Sequence, residues 1–252
     1  MRKMKNKKLK ATLSITGYFL MLIAICFVGA LVFHSYYYEP VYVHGNSMSP
    51  TLQGGESKGE VADFGIVDTH KSAINHIKRF DIVSTYYPYS AGYPNDYDAA
   101  GTLKNTASKK IKRVIALPNE TFIIKNGLLS VKVDDEFKEV PYKGFNVNYS
   151  LEKDTTEPIT LGKDEYWVLG DNRGSSIDCG YATIKTPIKK ENIQGVLVAI
   201  EGKAKLDVRN YRCSICGKTY STQSGPCAKC GSLSYSTQYK LVNKKYSWPK
   251  FF

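Results

Sequence analysis

The 252-residue chain is 42% hydrophobic, enough to bury a sizeable core, and one large domain with small additions fits its length. Its net charge of +12 invites a nucleic-acid reading, but the charge sits at the ends. Residues 1–10 hold six Lys/Arg and no acid, and residues 207–252 hold eight against one Asp, while residues 11–206 are nearly neutral with 21 bases and 22 acids. The basic excess therefore does not mark the body as a nucleic-acid binder, and it suits flanks attracted to anionic lipid.

In chain order, a cytoplasmic basic segment spans 1–10. Ala11 to Phe33 follows as 23 residues without a charge, and a helix of that length crosses a bilayer core of about 30 Å. A cleaved secretory signal is the rival reading, but the run is longer than the usual signal core. The preceding cations predict a cytoplasmic N-terminus with the rest of the chain outside, in the cell membrane. Tyr36, Tyr37 and Tyr38 fall where an interfacial aromatic belt belongs.

Residues 34–206 predict a mostly β domain. Val41–Val43, Asp81–Tyr86, Ile111–Leu117, Thr121–Lys125, Leu128–Val133, Glu165–Leu169 and Gly195–Ile200 are short β-branched or aromatic runs between turn residues. Asn126-Gly127 predicts a hairpin turn, since both residues tolerate positive φ. Many short strands predict an antiparallel sheet or partial barrel. Residues 53–78 show no clean period and read as loop with a short helix or strand. Tyr87–Asn105 reads as an irregular surface excursion.

Three segments carry chemistry. In the first, Ser47 lies in His44-Gly45-Asn46-Ser47-Met48-Ser49-Pro50-Thr51-Leu52. Gly45 and Pro50 suit a tight loop that aims a hydroxyl outward and its own N–H at a developing oxyanion. A serine needs a base, and none of His34, His44, His70 and His76 has a strong motif around it. The second segment offers Lys112 in an apolar strand, on the face opposite Ile111 and Arg113. Desolvation there would release its proton more easily. Lys109 and Lys110 read as ordinary solvated lysines. In the third, Gly170-Asp171-Asn172-Arg173 is a polar turn after an apolar strand. Ser176 beyond it is placed to hold the Lys112 amine, and Asp178 to brace the loop by pairing with Arg113 or Arg173. Each segment alone also fits an ordinary surface turn or strand.

In this order the motifs resemble the type I signal peptidases of the bacterial serine–lysine kind, from the anchor to about residue 202. The match includes Ser47–Leu52, Asp81-Ile82-Val83, Lys112–Pro118 and Gly170–Arg173. The resemblance implies a membrane-anchored serine endopeptidase of mostly antiparallel β fold with a smaller β extension. It implies Ser47 as nucleophile and Lys112 as general base, with Ser176 orienting the amine and Asp178 structural. Gly45 and Asn172 complete the supporting set, and catalysis needs no cofactor. The implied substrates are exported preproteins, bound in extended form with small side chains one and three residues before the scissile bond. Lysine at 112 sets the chain apart from the serine–histidine relatives of the endoplasmic reticulum. Departures include Gly45, where some members have a serine, and Phe80, Ala116, Asn119 and Glu120. Cys179-Gly180 stands where the family often has Ser-Arg, so Asp178 lacks its expected arginine.

Beyond that match, Cys213-Ser-Ile-Cys216-Gly217 and Cys227-Ala-Lys-Cys230-Gly231 form two CxxCG knuckles. Four thiolates so spaced suit a structural zinc ion in a ribbon module over 207–235. Two disulfides are the rival, because the tail is expected outside the cytoplasm. Residues 236–252 read as a basic-aromatic tail, with Trp248, Phe251 and Phe252 beside Lys244, Lys245 and Lys250 suited to lipid or to an unknown partner. Two other readings of the chain remain: a self-cleaving repressor-type serine–lysine protease, and an inactive membrane-tethered zinc-ribbon adaptor on a peptidase scaffold.

Overall fold

The computed structural model describes residues 2–55, 60–87, 96–97, 100, 102, 104, 107, 109–141, 153–181, 185–213, 218–220, 228–230 and 235–247. Contacts divide the chain into two units, residues 1–39 and 40–252.

The first unit is helix α1 (Arg2–Tyr37) with the first two residues of the strand that follows. Its stretch Thr16–Phe33 is long and apolar enough to cross a membrane, and none of it is buried in protein. The helix begins before the apolar run, as the basic Arg2–Lys10 segment contains neither Gly nor Pro, and it continues past Phe33 to Tyr37.

The second unit is built on antiparallel strands. They are β1 (Tyr38–Tyr42), β2 (Val61–Asp68), β3 (Ile82–Thr85), β4 (Lys110–Ala116), β5 (Thr121–Lys125), β6 (Leu128–Val133) and β7 (Glu136–Glu139). Then follow β8 (Ile159–Thr160), β9 (Glu165–Leu169), β10 (Ile188–Lys189), β11 (Ile193–Cys213), β12 (Thr219–Tyr220) and β13 (Tyr235–Ser247). One sheet runs β1-β2-β11-β3-β4-β9-β10, with β12 and β13 also pairing β11; a second runs β7-β6-β5-β8.

The Asn126-Gly127 turn forms as expected, with φ of 50° and 74°, and joins β5 to β6. A second such turn, at Asp134-Asp135, joins β6 to β7. The segment 53–78 yields both β2 and a short helix, α2 (Lys71–Asn75). In β2, Gly65 interrupts the apolar pattern for a packing reason: a Cβ there would lie 2.8 Å from the Ala199 carbonyl oxygen on β11.

Two long strands run across positions 206/207 and 235/236. β11 runs through the first to Cys213, and β13 crosses the second and pairs back along it, from Cys213↔Tyr235 to Ile200↔Ser247. Bulges at Ile200/Gly202, Lys203/Ala204 and Asp207/Tyr211 let this ribbon bend while its backbone pairing continues. Trp248, Phe251 and Phe252 lie outside the described residues.

Two apolar clusters support the strands. The larger contains Val83, Val114, Ile115, Phe122, Trp167, Val168 and Leu169. The smaller contains Val43, Met48, Leu52, Val67, Ile82, Leu197 and Ile200. Met48 and Leu52 are each 1% exposed, so they anchor the Ser47 loop in this second cluster.

Candidate active site

The Ser47 loop is fixed at both ends. Gly45 takes φ +75°, its N–H donates to the Gly55 carbonyl (3.2 Å), and Gly55 N–H donates to the Val43 carbonyl (3.2 Å). Ser49 N–H reaches the Asn46 carbonyl at 3.1 Å and Leu52 N–H the Met48 carbonyl at 3.0 Å, closing the loop on itself.

Lys112 comes from β4, opposite Val83 of β3. It is 4% exposed, and its amine donates to Ser47 Oγ at 2.8 Å and to the Ile111 carbonyl at 3.0 Å. Burial pushes the Lys112 pKa down to about 8; Asp178 and Asp171 act against this, while Lys153 and Lys110 add to it. The usual partner of a serine nucleophile is an imidazole, but here Ser47 Oγ accepts from the Lys112 amine, and two of the histidines are engaged at α2. His70 caps α2, its Nδ1 accepting from Ser72 N–H at 3.0 Å, and His76 Nδ1 bonds the Ser72 carbonyl. His44 is exposed.

The polar turn after β9 clamps the Ser47 loop from the other side. Asn172 N–H donates to the Ser47 carbonyl at 3.0 Å, and Asn172 Nδ2 to the Asn46 carbonyl at 3.1 Å. A Cβ at Gly170 would overlap Ser176 Oγ and lie 2.5 Å from the Ser47 carbonyl oxygen, so this close approach requires glycine.

Several expected partnerships are replaced by others. Arg113 pairs with Asp171, not Asp178: Nε to Oδ1 at 2.8 Å and Nη2 to Oδ2 at 2.7 Å, both side chains fully buried. Strand register explains the choice. Arg113 faces Leu169 on β9, and Asp171 two residues on keeps that face. Arg173 donates to the Gly170 carbonyl at 2.6 Å. Asp178 is paired instead with Lys153, at 2.9 Å. Ser176 Oγ is buried without a hydrogen-bond partner among the described residues, and the Lys112 amine is held by Ser47 and Ile111. Lys110 is not an ordinary solvated lysine: it pairs with buried Asp96 at 2.7 Å. Asp171 and Lys153 were not among the expected site residues. Asp171 is legible in the turn motif, but nothing local marks Lys153.

A cation buried at Lys112 has a thermodynamic cost. Between pH 8 and 10.5 the unfolded lysine keeps a proton that the folded one has released, so stability rises with pH across that window. Below pH 8 both forms are charged, and the folded state carries the whole penalty, about 3 kcal/mol. Lys112→Met is therefore expected to raise stability at pH 7 by about 2–3 kcal/mol. The gain should fade as pH approaches 10.5, as read by denaturation curves at several pH values.

A serine hydroxyl bonded to a desolvated lysine amine is the working pair of a serine–lysine hydrolase. The family model described as "Signal peptidase, peptidase S26" matches residues 15–201, and the chain belongs to this family of serine endopeptidases. Signal peptidase I of Bacillus caldolyticus is 34% identical over 62% of this chain and 75% of its own length. Signal peptidase I P of Bacillus subtilis subsp. natto is 31% identical, over 62% and 73%. The crystal structure of a signal peptidase I from Enterococcus faecalis V583 aligns with TM-score 0.32 at 23% identity, over 48% of this chain and 96% of that one.

The cysteine tail is only partly described. Cys213 ends β11 and Cys230 is exposed. Cys216, Cys227 and the Cys213 side chain lie outside the described residues.

Proposed function

We propose that the protein is a membrane-anchored signal peptidase I that removes signal peptides from exported preproteins. The observation that carries this is the 2.8 Å contact between Ser47 Oγ and the buried Lys112 amine. With its pKa near 8, about one Lys112 amine in ten is neutral at pH 7. That amine takes the Ser47 proton as Oγ attacks the scissile carbonyl carbon. The tetrahedral intermediate collapses to an acyl-enzyme as Lys112 passes the proton to the leaving amine. Water then attacks the ester carbonyl, giving its proton to Lys112, and Ser47 Oγ leaves with a proton restored.

The Ser47 N–H, in the loop shaped by Gly45, is the proposed oxyanion donor. Asn172 holds that loop in place, and Asp178 holds the turn beside it. Ser176 is the proposed orienter of the amine in the reacting state; a buried hydroxyl left unpaired costs about 1–3 kcal/mol, which favours such a bond. The basic Arg2–Lys10 segment supports a cytoplasmic N-terminus, with the catalytic unit on the outer side of the cell membrane against its lipids. The test is cleavage of preproteins by the detergent-solubilised enzyme, with sequencing of the new N-termini. Cuts following small residues at the first and third positions before the bond are expected.

For the tail, the proposed ligand of Cys213, Cys216, Cys227 and Cys230 is a structural zinc ion. Backbone pairing supports it. β12 folds back on β11 immediately after the first knuckle, with Arg212↔Thr219 in register. β13 begins just after the second knuckle, with Tyr235 opposite Cys213. Each knuckle thus adjoins in sequence a strand that pairs with the end of β11, which supports four thiolates converging on one metal. One zinc per chain is expected by metal analysis, falling in Cys213→Ser; zinc-free protein with four oxidised cysteines would contradict it.

A further inference from the structure

We propose that Lys153 is a positioning residue for the Ser47–Lys112 pair: it holds the turn that seats Ser47 and neutralises the Asp178 carboxylate beside the Lys112 amine. The proposal rests on the serine–lysine reading above.

Lys153 is 3% exposed. Its ammonium donates to the Ser176 carbonyl at 2.6 Å and to Asp178 Oδ1 at 2.9 Å, and lies 5.7 Å from the centre of the Tyr181 ring. Glycine at 180 leaves room for its stem, since a Cβ there would stand 3.0 Å from Lys153 Cδ. The segment that carries it is tied to the β5–β6 hairpin. Asp154 accepts from Asn126 N–H (2.7 Å) and Gly127 N–H (3.1 Å), and Thr155 N–H donates to the Ile124 carbonyl at 2.9 Å. The small sheet thus presents one cation beneath the site.

From Lys153 a short route leads to the nucleophile. Asp178 Oδ1 also accepts from Gly180 N–H at 3.1 Å, and its Oδ2 accepts from Gly170 N–H at 2.8 Å. Gly170 abuts the Ser47 carbonyl, and Asn172, two residues on, donates to it.

The charges point the same way. Four charged groups act on the Lys112 amine: Asp178, Lys153, Lys110 and Asp171. Lys110 is paired with Asp96, and Asp171 with Arg113. Asp178 has Lys153 as its counter-ion. A lone carboxylate there would hold Lys112 protonated, and a lone ammonium would strip it. Lys153 therefore tunes the base through Asp178 without touching substrate.

The test is the pH dependence of kcat/KM for preprotein cleavage by the full-length enzyme in detergent, for Lys153→Met, Lys153→Arg and Asp178→Asn. The acid limb reports the free base. In Lys153→Met it should move up by about one unit, with about a tenfold loss below the limb and KM nearly unchanged. Lys153→Arg should restore the limb, and Asp178→Asn should move it down. Should Lys153→Met fail to fold, Lys153→Met/Asp178→Asn removes both charges together, and its limb should lie near that of the wild type. Unmoved limbs in both single variants, displacement in the same direction, or a double-variant limb displaced by a full unit would overturn the proposal. Were Lys112→Ala still to cleave, the serine–lysine reading itself would fail; an inactive Lys112→Ala with unmoved limbs would sink only the role of Lys153.

Discussion

Ser47→Ala is expected to lower kcat by about 10⁵–10⁶, and Lys112→Ala by a comparable factor, with both proteins folded. The losses are large because nucleophile and base act as one unit: an alcohol without a base hardly ionises, and a base without the alcohol has nothing to activate. The double variant should therefore be little worse than either single one. Lys112→Arg should not rescue, because a guanidinium stays charged at any working pH. The measurement is single-turnover cleavage of a preprotein. Cleavage at near wild-type rate in either alanine variant would remove that residue from the chemistry.

The second large effect concerns stability. Arg113 and Asp171 form a two-pronged ion pair with both side chains fully buried, and Arg113 Nη1 also donates to the Phe80 carbonyl at 2.7 Å. Removing one partner strands a charge in the core, so Arg113→Met should cost about 3–5 kcal/mol. Replacing both, as Arg113→Met/Asp171→Leu, should recover much of that loss, since desolvation of the pair offsets most of its attraction. Activity should fall further than stability alone requires. Asp171 directly precedes Asn172, whose N–H holds the Ser47 carbonyl. Denaturation curves for single and double variants check this; a double variant no more stable than the single would show that the cost is not the uncompensated charge.

What was legible from residues alone was what is decided locally. The Asn126-Gly127 turn needs two residues at positive φ and advertises them. The turn at Asp134-Asp135 adopts the same backbone with less telling side chains, and β7 went unrecognised with it. In β2, Gly65 and the acidic residues at 63 and 68 blurred the alternation, because the glycine answers to a neighbouring strand. The serine–lysine pair was expected from its motifs, and the fold brings the two side chains together. The partners of the charges were not legible. Asp178 finds Lys153 25 residues upstream, in a stretch whose own sequence carries no motif. Asp171, not Asp178, faces Arg113 because of a register that only the paired strands define. In the tail, the paired cysteines suggest a module of their own, while the pairing of β11 with β13 depends on residues far apart in the chain and carries no local signal.

Burial makes Lys112 a base near neutrality within reach of Ser47. An NMR titration of the lysine side-chain amines in the intact enzyme, with the Lys112 signal assigned by its loss in Lys112→Met, reads this property at the atom concerned. A midpoint near 8 is predicted. A midpoint at the ordinary lysine value of 10.5 would mean that Lys112 is not the base.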